Sequence, residues 1–227
     1  MKIGYYCESP ADQAAMAVFV EGILGAPAEP INVPLAGQSM PAFFSELDGA
    51  FRGIHYLSDA EALVIMCDSD DSGVHDHFRD CENAKCRRCR SQSIVDRIIP
   101  RLRPVVGKTL PKLAYGLAVE AVECWYLTGT THDSALGEAR WMLDAREGRR
   151  PYPRDKLKEL VYGTSRPSIK LETDRAVAAA RRIVDGGLLG RLEAQFPSGF
   201  GLMATEIRAW GTPPAAAVPP AAQAAVL

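Results

Sequence analysis

Ala62-Leu63-Val64-Ile65-Met66-Cys67-Asp68-Ser69-Asp70-Asp71-Ser72-Gly73 is the stretch that decides the fold. Six apolar residues run without a break and then stop at an acid. A strand wetted on one face alternates apolar with polar residues, whereas an uninterrupted run belongs to a central parallel strand covered on both faces. Upstream, Lys2-Ile3-Gly4-Tyr5-Tyr6-Cys7 reads as a second short strand ending at Glu8. Ser9-Pro10-Ala11-Asp12 then carries a helix-start signature: a capping Ser, Pro at the first helical position and an acid three residues after the cap. Met16, Phe19, Val20, Ile23 and Leu24 recur at helical spacing until Gly25 and Pro27 stop the run.

Further along, a strand is expected at Ile31 to Leu35, weakened by Pro34, and a helix over 43–57. Ile94, Val95, Ile98, Ile99 and Leu102 form a helical stripe with a kink expected at Pro100. Pro111 to Val119 reads as another strand and Glu120 to Leu127 as helical. Strand and helix alternate, which predicts an α/β fold: a mostly parallel sheet flanked by helices. From about residue 131 the periodicity is helical only, ending in Phe200, Met203, Ile207 and Trp210, and the Pro/Ala tail that follows is expected to be disordered. The organisation expected is an α/β core over 1–130 with a Cys/His-rich loop at 74–90, a helical C-terminal extension over 131–210, and the tail 211–227.

The chain has 227 residues, 47% apolar and 24% charged, enough apolar mass for a real core and too much for general disorder. Its apolar runs fall far short of the roughly 20 residues a membrane span needs. The start, MKIGYYCESP, has one Lys and then a polar break, unlike a signal peptide, so a cytoplasmic location is expected. Cytoplasmic thiols seldom form disulfide frameworks. Of six cysteines, Cys7, Cys67 and Cys124 sit in apolar runs and read as buried small hydrophobes. The net charge of −2 is unevenly distributed: residues 85–112 hold nine basic side chains against Asp96 alone, a segment of +8 that leaves −10 elsewhere. Such asymmetry suits a polyanionic partner, or else a solvated Arg-rich helix face.

In an open parallel sheet, ligands bind beyond the carboxyl ends of the strands. Glu8, and Asp68 with Asp70, stand at two such ends, and Asp12 lies one helical turn after Glu8. Four carboxylates gathered without a cation repel one another and raise some of their pKa values. A hard divalent metal such as Mg²⁺ resolves that conflict with oxygen ligands. The other reading of Asp-rich loops is turn formation and helix capping.

Strand–Glu8-x-x-x-Asp12 opening a helix, followed by strand–Asp68-x-Asp70, resembles the Toprim domain, the catalytic core shared by topoisomerases, bacterial primases and overcoming-lysogenization-defect (OLD) nucleases. The nearest likeness is to small bacterial Toprim-like proteins encoded beside ATPases in phage-defence loci. Two further elements of that family correspond to Glu123-Cys124-Trp125 and to Pro197-Ser198-Gly199-Phe200, the latter with one extra residue between Ser and Phe. The resemblance spans about residues 2–210, and the acidic motifs are its specific part. It implies a Toprim-like fold and a metal-dependent nuclease acting on DNA or RNA, with an ATPase partner. Glu8 would be a metal ligand or the general acid/base, Asp68 and Asp70 would hold Mg²⁺ or Mn²⁺, Asp12 would complete a second metal position, and Glu123 is a third-strand ligand or else a packing residue. Ser9 stands where the family usually has Gly, and the catalytic Lys motif of OLD nucleases has no evident counterpart. Hydrolysis is favoured over strand passage, since one or two metals supply both the activated water and the charge neutralisation it needs.

His75, His77, Cys81, Cys86 and Cys89 fall within fifteen residues just after the acidic loop. Cys86-x-x-Cys89 has zinc-knuckle spacing, and Cys81 with either His would complete a Cys₃His site. The alternatives are free thiols in a surface loop or a redox pair. Lys85, Arg87, Arg88, Arg90 and Arg97 are candidates to hold phosphates without reading sequence. Three other functions compete: a catalytically weak module that binds nucleic acid or a protein partner, a transferase using Asp-x-Asp to hold a metal–nucleotide-sugar, and a haloacid-dehalogenase-type phosphatase. In the phosphatase the Asp-x-Asp belongs nearer the N-terminus.

Overall fold

A computed structural model describes residues 1–33, 39–75, 81, 85–149 and 153–211. Strands β1 (Lys2–Tyr6), β2 (Glu29–Ile31), β3 (Ala62–Asp68) and β4 (Lys112–Ala118) form a wholly parallel sheet in the order β2-β1-β3-β4. The apolar run of β3 is paired on both sides and buried along its entire length. Its side chains obey the two-residue period of a strand: Ala62, Val64 and Met66 enter one core layer, Leu63, Ile65 and Cys67 the other.

Parallel neighbours require crossover connections, and helices supply them. Helix α1 (Pro10–Leu24) starts as its sequence directs, with Ser9 Oγ accepting the Asp12 N–H at 3.1 Å, and ends at Gly25, whose φ of 63° is the left-handed conformation of a helix stop. Helix α2 (Met40–Leu57) and helix α3 (Arg87–Ile98) follow, and at Pro100 α3 tightens into a 3₁₀ turn over Ile99–Arg101. Helix α4 (Val122–Tyr126) leaves the end of β4. The second strand differs from expectation. It occupies Glu29–Ile31 rather than 31–35, at the sheet edge, where Pro30 is tolerated because an edge strand need not donate on both sides. Residues 34 and 35 lie outside the described residues.

The C-terminal part is helical: α5 (Glu138–Arg146), α6 (Arg154–Tyr162), α7 (Ile169–Asp185), α8 (Leu189–Gln195) and α9 (Leu202–Ala209). Helix α1 lies against α7, and α9 against β4. Phe19, Trp125, Ala180, Ile183, Phe200, Met203 and Ile207 share one apolar layer with the β1, β3 and β4 side chains, while Phe43, Leu47, Phe51 and Val95 of α2 and α3 cover the other face. A turn over Pro197–Gly201 brings backbone onto backbone: a Cβ on Gly199 would stand 2.0 Å from the Leu117 carbonyl oxygen. The Pro/Ala tail beyond residue 211 lies outside the described residues. Among the described residues no helix is long and apolar enough to cross a membrane.

From β1 the chain moves to β2 on one side, and from β3 to β4 on the other. The β1/β3 boundary is therefore the topological switch point, where diverging connections open a crevice at the carboxyl edge.

Candidate functional site

Glu8 and Asp68 meet at that crevice. Glu8 follows β1, Asp68 closes β3, and Glu8 Oε1 accepts the Asp68 N–H at 2.7 Å. The chain past β3 stays registered on the far strand, with Ser69 N–H donating to Ala118 O at 2.8 Å and Asp70 N–H to Glu120 O at 2.9 Å. Asp70 takes a left-handed φ of 43°, uncommon outside glycine and easiest for Asn and Asp. Asp68 Oδ1 accepts the Val122 N–H at the start of α4 at 2.9 Å.

Two guanidiniums converge on these acids. Arg154 of α6 donates to Asp68 Oδ2 at 2.6 Å and to Asp70 Oδ1 at 3.0 Å. Arg87 of α3 donates from Nη1 to the Asp68 carbonyl and to Asp70 Oδ2, each at 2.7 Å. The expectation was of acids gathered around one cation. The acids do meet, with arginines between them, and among the described residues they do not form a group of three or more ligand atoms within 4.8 Å. Arg154 went unnoticed in the sequence because it lies in a helix 86 residues from Asp68 with no motif around it.

Asp12 and Glu123 are buried deeper, 9% and 2% exposed, and Glu123 Oε2 has no hydrogen-bond partner among the described residues. Burial pushes the Asp12 carboxyl up to about 7, opposed by the Ser9 hydroxyl and reinforced by the charges of Glu123 and Glu8. Burial also raises Glu8 against the Asp68 amide that holds it. It raises Asp68 well above the usual range, with Glu8 and Glu123 adding to the effect and Arg154 opposing it. Glu123 is raised by burial too, against Lys158 and Arg154. The charges of Glu8 and Glu123 act on both Asp12 and Asp68, and the Arg154 guanidinium opposes the rise at Glu8, Asp68 and Glu123.

Beside the acidic loop, His75, Cys81, Cys86 and Cys89 place one ligand atom each within 4.8 Å of all the others. His75 Nδ1 stands 3.5 Å from Cys86 Sγ and 3.3 Å from Cys89 Sγ. No two of the six cysteines form a disulfide, and Cys7, Cys67 and Cys124 are buried as expected. His77 lies outside the described residues.

The basic segment divides by environment. Arg87 reaches the acids. Arg88 is 6% exposed, ion-paired with Glu206 of α9 and hydrogen-bonded to Tyr115 O at 3.3 Å. Its place is internal, which corrects its assignment as a phosphate contact: a guanidinium buried in an ion pair is not available to a polyanion. Arg90 stacks over the Phe44 ring at 4.1 Å, and Arg97 and Lys85 are exposed. The segment is thus partly fold-forming and partly a basic surface. The chain matches no protein-family model, no curated protein and no solved structure.

Proposed function

We propose that the chain is a metal-dependent phosphodiester hydrolase, of the Toprim-like type that its motifs resemble, acting on DNA or RNA. One observation supports the reading: Glu8, Asp68 and Asp70 stand beside one another at the carboxyl edge of the switch point, Asp68 buried and the other two half-buried. The donor set suits Mg²⁺ or Mn²⁺, since all its ligand atoms are oxygens and Mg²⁺ needs only one or two carboxylates beside water and phosphate. The unpartnered Glu123 oxygen belongs to the same charge cluster. Bound there, the metal would supply an activated water and neutralise charge on a phosphate oxygen.

The chain's own residues do the rest. The Glu8 carboxylate fixes the Asp68 backbone and so the start of the acidic loop. Burial raises its pKa, the direction a carboxyl that carries a proton requires. Arg87, whose side chain is 15% exposed, is held by the Asp68 carbonyl and Asp70, where it can orient a phosphate. Arg154 is 48% exposed on its helix and is the guanidinium freer to move. Lys85, Arg90 and Arg97 extend a basic surface for the nucleic-acid backbone. An ATPase partner rests on the family resemblance alone.

The Arg154 fork on Asp68 and Asp70 favours a second reading, a binding module whose acids are already neutralised. Incubation of the full chain with single- and double-stranded DNA and RNA, with Mg²⁺ or Mn²⁺, separates the two. Hydrolysis predicts cleavage that disappears in Glu8→Gln and Asp70→Asn and survives in Asp59→Asn, a surface change. Binding to the same substrates without cleavage in either metal, unaltered in Glu8→Gln, would leave the module.

A further inference from the structure

We propose that His75, Cys81, Cys86 and Cys89 bind one structural Zn²⁺ that clips the chain leaving the acidic loop to the start of α3. The argument is geometric and owes nothing to the hydrolase reading, because the site uses none of its acids. For tetrahedral zinc with Zn–S of about 2.3 Å and Zn–N of about 2.05 Å, the sulfur–nitrogen edge is about 3.6 Å. The two edges that His75 Nδ1 makes, to Cys86 and Cys89, are 3.5 and 3.3 Å. Those separations are also within reach of a weak thiol–imidazole hydrogen bond, but four such atoms drawn into one cluster exceed what one such contact requires.

Donor type selects the metal. Three thiolates and an imidazole are soft and borderline ligands, suited to Zn²⁺ and ill suited to the hard cations assigned to the carboxylates. With four protein ligands no position is left for water, so the ion is structural. The spacing is compact because the fold, rather than a long spacer, presents the pairs. Cys86 caps α3 and Cys89 lies in its first turn, while His75 comes three residues after the 3₁₀ turn Asp70–Ser72. Burial agrees: His75 is 9% and Cys86 1% exposed, the depth of a structural site closed to solvent.

The ligands also bracket a functional side chain. Arg87 lies between Cys86 and Cys89 and donates to Asp68 O and Asp70 Oδ2. Arg88 beside it pairs with Glu206. A zinc ion here would tie His75, five residues past Asp70, to Cys86 and Cys89 on either side of Arg87.

The test is metal content and ligand type. Full-length protein purified under reducing conditions and dialysed free of loose metal should carry one zinc per chain by elemental analysis. Replacement by Co²⁺ should give the intense thiolate-to-cobalt charge-transfer bands and the d–d bands of a tetrahedral thiolate site. Cys89→Ser and the half-exposed Cys81→Ser should each lower zinc to a trace, and the surface change Arg97→Ala should leave it at one per chain. Should the Cys89 variant fail to fold, the wild-type cobalt spectrum decides alone. Zinc far below one per chain after refolding with excess Zn²⁺, or a cobalt spectrum without thiolate bands, would overturn the proposal. So would full zinc retention in the Cys81→Ser/Cys89→Ser double variant.

Discussion

Replacing Arg154 by alanine asks whether this guanidinium occupies the place of a cation. The side chain bridges Asp68 Oδ2 at 2.6 Å and Asp70 Oδ1 at 3.0 Å, and its charge also acts on Glu8 and Glu123. Two unit charges about 4 Å apart attract by about 4 kcal/mol at an effective dielectric of about 20. Arg154 is 48% exposed whereas Asp68 is 7% exposed, so water screens one side of the pair. Discounted to about a third for that screening, the competition is worth about 1.4 kcal/mol, or about tenfold in affinity. In Arg154→Ala, then, Mn²⁺ should bind about tenfold more tightly by isothermal titration calorimetry at pH 7. In Mn²⁺-free buffer the same variant should lose about 2 kcal/mol in urea denaturation, because one charged hydrogen bond to the buried Asp68 and one to the half-buried Asp70 are gone. Lys156→Ala on the same helix, whose ammonium pairs only weakly with Glu159 at 3.5 Å, should change neither quantity. Unchanged or weaker Mn²⁺ binding in Arg154→Ala would refute the view that arginine and metal compete for these acids.

Arg88→Met should destabilise the fold by about 1.5–3 kcal/mol, since it removes the charged hydrogen bond to Glu206, which stays 31% exposed and keeps the Tyr115 N–H; Arg88→Met/Glu206→Met should recover part of that loss in thermal unfolding. Gly199→Ala should cost about 3 kcal/mol, the upper end of overpacking, because its Cβ would meet the Leu117 carbonyl at 2.0 Å and a backbone atom cannot step aside. Glu138 gives a pH signature. Its carboxylate accepts the Ser198 N–H at 2.9 and 3.1 Å and the Gly199 N–H at 2.8 Å, yet burial outweighs these bonds and raises its pKa. The folded state therefore holds this proton more tightly than the unfolded chain. Its contribution to stability is complete below the unfolded value of about 4.3 and is lost as pH rises through the folded value. Urea midpoints measured from pH 4 to 7 should show that component in the wild type and not in Glu138→Gln.

The strand at Ala62–Cys67 was legible because burial on both faces leaves a composition that no exposed strand has, and the cap at Ser9 because its chemistry is local. The shortened β2 was not. Edge strands are specified weakly, by pairing with β1 rather than by an apolar run, so the pattern at 31–35 pointed past the residues that pair. His75, Cys86 and Cys89 stood out by spacing, but which atoms face one another depends on how the acidic loop returns to α3. The five basic candidates looked alike as letters, and only the packing of α9 against β4 buries Arg88 while leaving Arg97 in water.

By itself the sequence determined the alternation of strands and helices, and with it the acids at two strand ends, because apolar periodicity and helix caps are properties of neighbouring residues. The tertiary structure decided what surrounds those acids. Strand order makes β1 and β3 neighbours, which brings Glu8 to Asp68, and the C-terminal helices deliver Arg154 from 86 residues away. Charges that distant along the chain meet only once the sheet and its covering helices have packed, so no local pattern could announce them.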